Sequence, residues 1–131
     1  MNKLYATVTK IESVDHLNMV YFDLSGQTLS MMSLDLNEAI KVGAKVELTS
    51  KPSHVAVAKE LRGQLSFTNQ LNAKIHSLDN GKLLTTLSLD IEGSFLEAII
   101  TAESSEAMTL KVDDEITALI NASELSILKV L

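Results

Sequence analysis

The residues of this chain that could do covalent or metal chemistry are few, and their spacing argues against it. His16, His54 and His76 lie far apart and show no metal-ligand spacing such as His-x3-His, so a metal site is not expected. The acidic run Asp113-Asp114-Glu115 lacks a partner for acid–base work and reads as a solvated turn. No Ser–His–Asp arrangement is evident. With no Cys, thiol chemistry, disulfides and thiolate metal sites are all excluded. An enzyme is not expected. What remains is hydrogen-bond donation. Thr101 and Ser104, three apart in "TAESSEAM", can cap one or two helical turns, and Lys51 stands just ahead of Pro52 and Ser53.

The bulk composition narrows the partners. At 131 residues, 46% hydrophobic and 21% charged, the chain can build a packed core, as one domain or two very small ones. Seventeen acidic residues against eleven basic ones give a net charge of −6, so the clustered Lys and Arg that bind phosphate backbones are missing. Aromatic residues make up 4% and there is no Trp, which also disfavours a base-stacking platform and hence an OB-type nucleic-acid binder. "MNKLYATVTK" alternates polar and apolar residues and has no apolar core of a signal peptide. No apolar run approaches the roughly 20 residues that span a bilayer. A soluble, cytoplasmic protein is expected.

The elements that must position these donors come in two copies. A shift of 67 aligns Asn2 with Asn69, Leu4 with Leu71, Ala6 with Ala73, Asp23 with Asp90, Gly26 with Gly93 and Leu29 with Leu96. Further on the offset is 70, which aligns Lys41-Val42 with Lys111-Val112 and Ser53 with Ser123. The change falls between Met32 and Lys41, in a connection, where a repeat tolerates insertion. Each copy alternates as strands do: "YATVTKI", "MVYFDL", "QTLSMMS", "KVELT" and "HVAVA" in the first, "NAKIHSL", "LLTTLSLDI", "SFLEAII", "EITALIN" and "LSILKVL" in the second. A short helix is expected between the third and fourth strands of each copy, over "LNEAI" and "TAESSEAM". The expected fold is all-β: two tandem OB-like five-stranded barrels, residues 1–62 and 63–131, each with one short helix. "AKELRGQLS" joins them without a flexible Pro/Gly/Ser-rich run, so tight coupling is expected.

In the second copy, "SFTNQLNAKI", "AIITAES" and "LKVDDEITALINASEL" resemble the Mop family of small molybdate-binding domains, also called the TOBE domain. Ser66, Asn69, Leu71, Thr101, Glu103, Ser104, Leu110, Lys111, Asp114, Glu115, Ala122, Ser123 and Glu124 fall on the family's pattern. The likeness covers Leu65 to Leu131 and reaches the first copy through the repeat and the fragments "NKL", "IKVGAKVEL" and "KPSHV". The chain thus looks like a tandem di-Mop protein, the first copy being degenerate.

The resemblance implies a molybdate or tungstate site at a contact between domains, as a bound ligand and not a catalytic cofactor. A tetrahedral dianion carries only acceptors, so its cage must be donors: hydroxyls, free backbone N–H groups and a Lys or Arg. The residues implied are Ser66, Phe67 and Thr68 of the opening segment, Thr101 and Ser104, Asn121 and Ser123 before the last strand, and Lys51 and Ser53 in the first copy. Two departures stand out: Thr68, behind Phe67, occupies the family's arginine position, and Asn121 its lysine position. The implied function is storage or buffering of the oxyanion; the alternative is a non-enzymatic regulatory or oligomerisation module of molybdate transport or regulation, with weak or lost binding. Units of about 65 residues are small for independent cores, and the family suggests rings, with a trimer preferred and a dimer next.

Overall fold

The structure, a computed structural model, describes residues 2–131; Met1, where the first repeat was expected to begin, lies outside the described residues. The elements run β1 (Leu4–Val14), β2 (Leu17–Leu24), β3 (Gln27–Ser33), β4 (Lys45–Thr49), a 3₁₀ turn (Pro52–His54), β5 (Ala56–Ala58), β6 (Asn69–Asn80), β7 (Leu84–Ile91), β8 (Ser94–Thr101), α1 (Ala102–Ala107), β9 (Glu115–Ile120), a second 3₁₀ turn (Ala122–Glu124) and β10 (Ser126–Val130). The alternating stretches became strands because one face of each is apolar. In β6, Leu71, Ala73 and Ile75 point inward while Gln70, Asn72 and Lys74 face solvent. Burying a side chain such as Leu71 stabilises the fold by about 1.5–3 kcal/mol.

The repeat is reproduced in backbone detail. β1 carries a bulge between Val8 and Lys10, and β6 carries one between Ile75 and Ser77. The β2–β3 hairpin turns on Ser25-Gly26 and the β7–β8 hairpin on Glu92-Gly93, all four residues with positive φ. That is the two-residue turn whose twist matches paired strands, and it is why glycine stands second in each. Both copies also close the third-to-fourth strand connection alike, with Gly43 N–H donating to the Val8 carbonyl and Asp113 N–H to the Ile75 carbonyl, each at 2.8 Å.

The two five-stranded sheets are ordered β10-β4-β1-β2-β3 and β5-β9-β6-β7-β8. Each copy therefore supplies four strands to its own sheet and its last strand to the other. β5 pairs with β9, and β10 pairs with β4. One hydrophobic cluster runs through both sheets, from Leu4, Phe22 and Leu48 to Leu71, Leu89 and Ile120. The expected pair of barrels holds, with the fifth strands exchanged.

The helix appears only once. "LNEAI" in the first copy is a turn and not a helix. The Asn37 side chain accepts from the Ala39 N–H at 2.8 Å, and the Asn37 carbonyl accepts from the Ile40 N–H. A short polar side chain thereby takes a backbone donor that a helix would need. The second copy has three more residues in this connection, and they make room for α1.

Asn2 and Asn69 tie the copies together. Asn69 is fully buried; its amide donates to the Ser30 carbonyl at 2.8 Å and accepts from the Ser30 N–H at 2.6 Å. Asn2 does the same to Glu97, at 2.9 and 2.7 Å. Each asparagine thus binds a strand of the opposite copy, like an added rung of sheet, and the exchange is reciprocal.

Candidate oxyanion site

The nine residues implied by the sequence fall into three places. The first lies where β6 and β9 begin and end together. Asn69 pairs with Ile120 at the end of this ladder, and Thr68 and Asn121 come just beyond it. Ser66, Phe67 and Thr68 form the approach to β6, and the Gln70 side chain holds that segment by donating to the Phe67 carbonyl at 2.7 Å. Asn121 and Ser123 belong to the 3₁₀ turn, where the Asn121 side chain caps the Ser123 N–H. Ser66, Thr68, Asn121 and Ser123 are exposed and Phe67 is half-buried. The turn packs on β3, whose Ser30 hydroxyl meets that of Thr68 at 2.5 Å.

The second place is the matching turn of the first copy. Lys51 caps it, Pro52 starts it, and Ser53 lies within it; Lys51 and Ser53 are exposed. The two turns face one another, for His54 Nδ1 meets Glu124 Oε2 at 2.8 Å and these residues are 70 apart in sequence. This turn packs on β8, where Asn2 binds Glu97.

The third place is the start of α1. The Thr101 hydroxyl accepts from the Ser104 N–H at 3.1 Å and donates to Ser104 Oγ at 2.8 Å, so Thr101 is the helix cap. Thr101 lies four residues beyond Glu97 along β8, roughly 13 Å at strand spacing. Within one chain it is apart from both turns.

The electrostatics separate these places from the larger clefts. A groove of about 600 Å³ runs past Glu60, Asp90, Glu92 and Glu115, with Lys74 as its one basic residue. Carboxylates there repel an oxyanion. A second, of about 300 Å³, is of mixed character, with Met31, Leu36 and Ile127 beside Asp35, Asn37 and Lys129. The opening segment and second turn, by contrast, offer neutral donors beside a single carboxylate, Glu124, which meets His54. The acidic run is more than a solvated turn: Asp114 meets Lys59 at 3.3 Å. Its carboxyl is held below the usual range, chiefly by the Lys111 N–H and then by Lys59. Among the described residues no group of three His, Asp or Glu is placed to hold a metal ion, and no helix is long and apolar enough to cross a membrane.

Sequence reasoning missed Ser30, Gln70 and Glu97. Ser30 and Glu97 are themselves 67 apart, which is the only trace the sequence carries of them.

Comparison with known proteins bears on the family and the fold. Residues 65–127 match the TOBE domain. No curated protein matches. Among solved structures, the cytoplasmic molybdate-binding protein ModG, crystallised with molybdate bound, aligns with a TM-score of 0.88 and 21% identity over 96% of this chain and 94% of that one. A molybdate-binding protein from Sporomusa ovata aligns with a TM-score of 0.50 and 31% identity over 51% of this chain and all of that one. The domain match at 65–127 and the 31% identity over the whole of the Sporomusa ovata protein show that this chain belongs to the TOBE-domain family.

Proposed function

We propose that this chain binds molybdate or tungstate as a cytoplasmic store or buffer and catalyses no reaction. Its units are the two repeats, 1–62 and 63–131, with the first the more diverged. The observation that carries the reading is that Thr68 and Asn121 come just beyond the paired Asn69 and Ile120, with Ser66 and Ser123 two residues from each, in a family whose solved relatives bind molybdate. Phe67 walls that surface, and Lys51 with Ser53 extends it across the facing turns. Thr101 and Ser104, remote within the chain, complete the cage from a neighbouring protomer of a trimer. Isothermal titration with molybdate, tungstate and sulfate tests the reading: heat with the first two and none with sulfate supports it, and no heat up to millimolar molybdate rejects it. Light scattering tests the assembly, and a monomer in the presence of ligand removes the shared site.

A second reading, an assembly or regulatory module with weak or lost binding, is favoured by Thr68 and Asn121 standing where the family has cations. Losing a charge-assisted partner costs about 1.5–3 kcal/mol, one to two decades of affinity. A pull-down that recovers a transport or regulatory partner, with no titration heat, would select it.

A further inference from the structure

We infer that Ser30, a residue of the first copy, is a positioning residue of the oxyanion site in the second, and that Glu97 withholds the same arrangement from the opposite turn. The inference rests on the oxyanion reading above. Ser30 is 4% exposed and its hydroxyl is a bonding neighbour of Thr68 Oγ1. Its other nearby acceptor, Asn69 Oδ1, is 3.4 Å away and already takes the Ser30 N–H at 2.6 Å. A distance of 3.4 Å is too long for a good hydroxyl bond. The buried hydroxyl therefore has one good acceptor, Thr68, provided that Thr68 turns its own hydrogen elsewhere. Thr68 is exposed, and outward is where an acceptor-only ligand would sit.

An oxyanion at this surface selects one direction for the pair: Ser30 donates to Thr68, and Thr68 donates to the ligand. Each bond in such a chain polarises the next. The Asn69 amide grips both backbone groups of Ser30, so the relay is held in place before any ligand arrives. A hydroxyl relay thus stands where the family places a guanidinium.

At the other turn the matching residue is Glu97, gripped by Asn2 in the same manner. Its side chain is exposed and carries a carboxylate, which accepts and cannot donate. It repels a dianion. Ser30 and Glu97 occupy matching places, one a hydroxyl and the other a carboxylate, and the turns beside them carry Asn121 and Lys51 respectively; the Thr68 end is the stronger oxyanion site.

Molybdate titration of the full chain and four variants tests this. Ser30→Ala and Thr68→Val should each weaken binding about tenfold, and the double variant should bind no more weakly than Thr68→Val alone, because Ser30 acts through Thr68. Ser30→Ala at wild-type affinity, or losses that simply add, overturn the role of Ser30. Glu97→Ser should raise the molybdate bound per chain; an unchanged ratio overturns the role of Glu97. Thr68 and Glu97 are exposed, so their variants keep the fold even if Ser30→Ala does not. A wild-type chain that binds no molybdate rejects the oxyanion reading itself, a result distinct from wild-type binding with indifferent variants.

Discussion

The two exchanged strands sit in equivalent places and are secured differently. β5 enters the second sheet and is followed by Lys59, whose ammonium meets Asp114 and donates to the carbonyls of Met108 and Thr109 just after α1. A helix end leaves such carbonyls without partners, and a lysine there satisfies them and complements the helix dipole. β10 enters the first sheet beside a mixed polar and apolar groove with no helix; its ladder with β4 shifts register between Ile127 and Lys129, and Lys129 is exposed. The buried hydroxyls of Thr49 and Ser50 have no hydrogen-bond partner among the described residues, where the second copy has Leu119 and Ile120. The two frames repeat one another, and the second is the more completely satisfied. The family match covers 65–127, in the second copy, although the first copy repeats its backbone.

The asparagine clamp offers the hardest way to break the pair. Asn69→Ala leaves the buried N–H and carbonyl of Ser30 unpaired and should cost about 2–4 kcal/mol in urea unfolding. Asn2→Ala should cost less, because Glu97 lies nearer solvent; equal losses would mean that burial does not separate the two ends. Lys59→Met should lower the melting temperature by a few degrees, and Lys129→Met should leave it unchanged. A matching fall for Lys129→Met would erase the contrast between the exchanged strands. Thr49→Val removes an unpaired buried hydroxyl while keeping its shape and should stabilise the protein by about 1 kcal/mol; a loss would reveal a bond that the structure does not contain.

Asp114 gives the smallest and most specific effect. Its folded carboxyl lies below the ordinary 3.8, so as pH falls the unfolded chain takes up the proton first. The stabilisation is complete above that ordinary value and is withdrawn as pH falls through it to the folded value. Asp114→Asn should flatten this part of the acid limb of stability against pH, and an unchanged limb would remove Asp114 from it.

Much of this was legible in the sequence, and the failures have local causes. Period-two alternation marked all ten strands, and Gly26 and Gly93 marked the hairpin turns, because both signals are set by neighbours in the chain. The exchange of β5 and β10 was not legible: "HVAVA" and "LSILKVL" say strand, but nothing in them names the sheet that the strand joins. The expected helix at "LNEAI" followed its apolar spacing, and Asn37 overrode it with a bond across two residues. The sequence marks Asn69 through the repeat with Asn2 and the family pattern, and neither says what its side chain binds. Its partners are on Ser30, 39 residues away, where no local pattern reaches. Thr101 was weighed as helix cap and as ligand, and the structure shows it capping α1.

The most direct measurement is a crystal grown with tungstate and examined for anomalous scattering. A heavy-atom peak within hydrogen-bond reach of Thr68 and Ser123, with the Ser30 hydroxyl behind it and a weaker peak or none beside Glu97, is the expected result. Tungstate seated only beside Glu97, or in the groove of Glu60 and Glu115, would contradict it.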